Sequence, residues 1–105
     1  RRQAHKAETL KAMDGLAAFL TPTMPTLPLP ISEVDQSGTP AVFTRGINYL
    51  GFCAFAQPIA LTAAGLPTSL QTAARPGDEA MAIRVAAAFE RDAPAIGRPP
   101  MLDRA

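Results

Sequence analysis

A chain of 105 residues has room for one domain at most. Its hydrophobic fraction is 48%, but alanine supplies much of it, so large apolar side chains are few and an independent fold is expected to be marginal. A net charge of +1 gives no field to steer nucleic acid, and a single cysteine excludes an internal disulfide.

No stretch is apolar for the ~20 residues that a membrane-spanning helix needs. The richest window, 50–66, is interrupted by Gln57 and Pro58. Arg1 and Arg2 lead into polar helix formers rather than an apolar core, so no secretory pattern is present and a cytoplasmic location is expected. The chain begins without methionine, as expected of a segment of a longer protein.

Residues 2–13 are rich in Ala, Lys, Glu, Gln and Leu and predict a helix. Leu10, Met13 and Leu16 lie near one face, Asp14-Gly15 is a stop, and Arg1, Arg2, His5, Lys6 and Lys11 form a solvated face. The apolar run 16–20 predicts a short buried strand. A proline-rich loop then spans 21–40, with φ fixed at Pro22, Pro25, Pro28 and Pro30. Pro22-Thr23-Met24-Pro25 has the form of a ligand for an SH3-type groove. No Arg or Lys between Thr21 and Ser32 would orient such a ligand, so a stiff loop beyond a strand's carboxyl end is the better reading. A short helix over 43–50 follows, with Thr39 or Thr44 available to cap it.

The stretch from Asn48 to Gln71 reads as the organiser of the chain. Its apolar run from Phe52 to Leu61 suits a strand covered on both faces, with Cys53 as a buried packing residue. Gly65-Leu66-Pro67 turns it into a hairpin over 54–73, and Pro58, which has no N–H, predicts a bulge or an unpaired site. A helix over 78–91 starts at Asp78-Glu79, which suit its positive N-terminus. Met81, Val85 and Phe89 recur at i, i+4 and i+8 beside Ala82 and Ala86, which predicts a buried stripe, with Arg84, Glu90 and Arg91 in water. The tail 94–105 is expected to fray. The fold class is α/β: a piece of a mixed β-sheet, two or three strands with one antiparallel hairpin, flanked by helices in an incomplete domain.

Chemistry is sparse. One His, one Cys and scattered carboxylates have no metal-ligand spacing, and no glycine pattern for a nucleotide occurs. Pairing Cys53 with His5 would require a buried thiol to meet an imidazole on a separate surface helix. No catalytic, cofactor-binding or metal residue is assigned.

Several motifs in order carry a family resemblance. Phe19-Leu20-Thr21-Pro22-Thr23-Met24-Pro25, Asn48-Tyr49-Leu50-Gly51, Pro58, Gly65-Leu66-Pro67, Leu70-Gln71 and Asp78-Glu79 together resemble the C-terminal end of amidase signature enzymes, whose chains are several times longer. The resemblance implies amide C–N hydrolysis by a serine nucleophile, with a second serine on a cis peptide and a lysine base. It also implies a Gly- and Ser-rich loop that builds the oxyanion hole, and this chain has none. Ser32, Ser37 and Ser69 lack a glycine-rich setting, and Lys6 and Lys11 lie on the first predicted helix. The chain alone is therefore expected to be inactive, supplying sheet, helices and part of the substrate-cleft wall.

The implied partners are the remainder of an amidase domain and, for the complete enzyme, a small-molecule amide, with neither nucleic acid nor membrane. In the amidotransferase branch of the family an Asp is expected at the position of Ala41, so its absence leans toward a general amidase. Gly46 stands where the family has a proline, which leaves that alignment open to a slip of one residue. The alternative is a small non-catalytic interaction domain, or a gene remnant, that presents the proline-rich loop.

Overall fold

The computed structural model describes residues 1–104. Helix α1 (Arg2–Ala12) leads to strand β1 (Phe19–Pro22) and a long loop holding one 3-10 turn (Ile31–Glu33). Helix α2 (Arg45–Leu50), strands β2 (Cys53–Leu61) and β3 (Pro67–Ala74) and helix α3 (Glu79–Asp92) follow, with a last 3-10 turn at Pro100–Arg104. The three strands form one antiparallel sheet in the order β1-β3-β2.

Alternation along β3 sends Gln71 and Ala73 to one face and Thr72 and Ala74 to the other. On the first face Met13, Ile47, Phe52 and Ala73 are buried together, with Leu10, Phe19 and Leu50 packed against them. The ends of α1 and α2 are thereby fixed over β1 and β3. On the second face α3 lies against β2 and β3. Gln57, paired with Leu70, shares that face and donates its Nε2 to the Ala86 carbonyl at 3.1 Å.

Five features differ from the sequence reading, each for a local reason. The first strand starts at Phe19 rather than Leu16, and Leu16 is 53% exposed. The Leu16 N–H closes a turn onto the Met13 carbonyl at 2.8 Å. The Arg75 guanidinium then holds the carbonyls of Leu16 at 2.6 Å and Met13 at 2.7 Å, which removes them from any strand ladder. β2 is an edge strand rather than one covered on both faces, and Phe55 and Leu61 are exposed. The centre belongs to β3, because β1 pairs with it as Phe19 to Ala73 through Pro22 to Leu70. Cys53 is accordingly half-buried, its Sγ 3.4 Å from the Arg75 carbonyl.

On α3 the residues against the sheet are Ala82 and Ala86, while Met81, Val85 and Phe89 are only half-buried. Methyl side chains let the helix axis approach closely enough for Gln57 to reach its backbone, and larger side chains lie at the flanks. Neither threonine caps α2 through its side chain. Thr39 Oγ1 instead accepts from the Ala41 N–H at 3.1 Å and Arg45 at 3.3 Å, a loop contact that precedes the helix.

The hairpin has the expected irregularity, with a register shift between Pro58 and Ala60. Its turn closes where Gly65 adopts φ +80°, with Thr62 N–H donating to the Leu66 carbonyl at 2.7 Å. In the tail Arg98 and Asp103 stand 3.9 Å apart with both side chains exposed, a contact of little energetic weight. The end of the predicted tail, Ala105, lies outside the described residues.

Candidate functional site

An open, mainly apolar groove of about 990 Å³ lies beside the sheet. One wall is the proline-rich loop, through Met24, Leu27 and Leu29, and the other is the start of β3 with Ile59 of β2. The prolines make the loop wall stiff by fixing φ, so the groove is held open without a covering element.

A polar corner adjoins the groove through two of its lining residues, Thr21 and Ser69. Gln71 is 4% exposed, and its Nε2 donates to Thr21 Oγ1 and to the Phe43 carbonyl, each at 2.9 Å. The Thr21 hydroxyl passes its own hydrogen to the Pro22 carbonyl at 2.9 Å. Two residues further along, Thr23 and Ser69 share a hydroxyl contact of 2.8 Å, and the Thr23 N–H donates to the Ser69 carbonyl at 3.1 Å. The loop, the turn before α2 and the central strand are thus joined at this corner.

The nucleophile types are dispersed. Ser69 is engaged with Thr23, and Ser37 donates its hydroxyl to Asp35 at 2.6 Å. That contact, followed by the Ser37 backbone N–H, holds the Asp35 carboxyl below its usual range. Ser32 lies exposed in the 3-10 turn. Lys6 extends toward Gly51 beside Arg2, whose Nε donates to the Tyr49 carbonyl at 2.6 Å. These cations face the carboxyl end of α2, where its dipole favours them. His5 Nδ1 meets Tyr49 Oη at 2.8 Å, while Cys53 faces the carbonyls of Ala74 and Arg75. Among the described residues no group of three or more His, Cys, Asp or Glu could hold a metal ion. Among them, too, no helix is long and apolar enough to cross a membrane.

Sequence reasoning did not find Gln57, Gln71 or Arg75 as organisers. The available signal was a polar residue inside an otherwise apolar strand, or an arginine leading a Pro-Gly turn.

No protein-family model matches the chain. The chain is similar to the A subunit of glutamyl-tRNA(Gln) amidotransferase from Methylocella silvestris, 38% identical over 93 residues, covering 83% of this chain and 19% of the relative. The corresponding protein from Geobacter metallireducens is 38% identical over 86 residues, covering 78% and 18%. In structure the chain resembles the corresponding protein from Thermotoga maritima, with a TM-score of 0.80 and 27% identity over 89% of this chain and 21% of that one. These relatives carry amidotransferase names, against the general-amidase leaning drawn from Ala41. Motifs, fold and relatives together show that the chain belongs to the amidase signature family, in which it matches a C-terminal segment about one fifth as long as the relatives.

Proposed function

We propose that the chain serves as the structural, cleft-forming part of an amide C–N hydrolase of the kind found in the A subunit of glutamyl-tRNA(Gln) amidotransferase. It supplies three strands, flanking helices and one wall of the substrate cleft. The nucleophilic serine, the second serine and the lysine base belong to another part of the enzyme. The observation that carries this reading is the 38% identity over 93 residues to a protein about five times longer, of which the chain covers 19%. The groove supports it, because the proline-rich loop follows the end of β1 and walls an apolar cleft. The remainder of the amidase domain is the partner, and the complete enzyme takes a small-molecule amide. A cytoplasmic location accompanies the reading, in keeping with a single cysteine that forms no disulfide.

A graft tests this. The chain replaces its structural counterpart in the Thermotoga maritima protein, and amide hydrolysis by the chimera is compared with that by the chain alone. The expected result is hydrolysis by the chimera and none by the chain. A folded chimera without activity, or turnover by the isolated chain that survives repurification, contradicts the proposal.

A further inference from the structure

The geometry points to Gln71 as the residue that positions Thr21, on the groove's lining, against the turn before α2, an inference that rests on the cleft-wall reading and extends it to one side chain. Gln71 is 4% exposed on the central strand, and its Nε2 has two acceptors at 2.9 Å. The Phe43 carbonyl can only accept. It precedes Thr44, the residue at the N-cap of α2, so no amide of that helix claims it. Thr21 Oγ1 has committed its hydrogen to the Pro22 carbonyl, which leaves only lone pairs facing Gln71. Both partners therefore demand a hydrogen. Among uncharged side chains only a carboxamide offers two from one atom.

The three joined segments lie far apart in the chain, with separations of 50 residues to Thr21 and 28 to Phe43. Thr21 begins the proline-rich wall of the groove. Phe43 sits in the turn that also carries Ala41, where the Thr44 and Arg45 N–H groups donate to the Ala41 carbonyl at 3.3 and 2.9 Å. Gln71 sets the distance between that turn and the start of the loop, where Thr21 lines the groove. Gln71→Glu places oxygen against both acceptors, so the corner opens while β2 and β3 keep their ladder.

Amide hydrogen exchange on the full chain reads this without reference to catalysis, so its outcome stands apart from that of the graft. The local reporters are the hydrogen-bonded amides of Thr23 and Arg45, and the remote reporter is Thr62 in the hairpin turn. In Gln71→Glu at neutral pH, Thr23 and Arg45 lose protection by at least ~10-fold, as expected for two lost hydrogen bonds, and Thr62 is unchanged. At about pH 4 the glutamic acid regains one donor, and local protection partly returns. Thr21→Val removes one acceptor only, so Thr23 loses protection while Arg45 keeps it, and this variant decides the matter if Gln71→Glu does not fold. Uniform loss at all three amides, no loss at Thr23 and Arg45, or equal loss at both in Thr21→Val overturns the assignment.

Discussion

Thr72 is fully buried on β3, and its hydroxyl has no hydrogen-bond partner among the described residues. Burying an unpaired hydroxyl costs ~1–3 kcal/mol, so Thr72→Val, which keeps the shape, should raise stability by about 1 kcal/mol. Urea melts at one fixed low protein concentration measure this, and a loss of stability would mean that the hydroxyl has a partner. Gly65 presents the opposite case. It takes φ +80° with open space around the position of a side chain, so Gly65→Val meets no clash and suffers only backbone strain. The expected cost is ~1–2 kcal/mol in the same melts, and a neutral substitution would show that the turn can relax. Gly65 and Pro58 were legible in the sequence because a turn and a missing N–H are properties of a few neighbouring residues. Gln57, Gln71 and Arg75 were not, because their partners lie 29, 28 and 62 residues away.

The elements themselves were largely legible, since apolar periodicity and helix-forming composition act over a turn or two of chain. Strand order was not. An apolar run such as 52–61 reports that water is excluded somewhere, not which neighbour excludes it, and here β1 joins β3 and leaves β2 at the edge. On α3 the periodicity identified the right stripe, and only the depth of burial within it differs, the alanines lying deeper than Met81, Val85 and Phe89. Ala82 and Ala86 are each 2% exposed against the sheet. Ala86→Leu should therefore force the helix outward and cost ~1–3 kcal/mol, whereas shortening the half-buried Val85 to Ala costs less. Equal effects of the two would put the large side chains back at the interface. In the loop, the Ser37 hydroxyl and backbone N–H keep the Asp35 carboxyl ionised to lower pH than usual. A lowered folded pKa means that this turn is intact above the ordinary carboxylate range and loosens as pH falls through the lowered value. Carboxyl NMR should show Asp35 titrating below 3.8, and a midpoint at or above it would contradict the turn.

At the scale of the whole molecule, too much surface is open for the mass. A compact protein of 11.0 kDa exposes about 5,600 Å² by the usual scaling, and this chain exposes 7738 Å². The Cα radius of gyration is 16.1 Å, against ~13 Å for a compact chain of this length. The excess of about 2,100 Å² is on the scale that obligate interfaces bury. Much of it is apolar and placed to one purpose: Leu27, Leu29 and Ile31 on the loop, Phe55 and Leu61 on the free edge of β2. A long, unpaired, apolar edge strand invites association. The fold is thus a covered central strand with open borders, which suits one part of a larger amidase sheet. Urea melts by circular dichroism, run beside sedimentation velocity over a range of concentrations, test this most directly. The expected result is association that grows with concentration and a broad unfolding transition whose midpoint moves with it. A monomer with a sharp, concentration-independent, two-state transition and several kcal/mol of stability would contradict it.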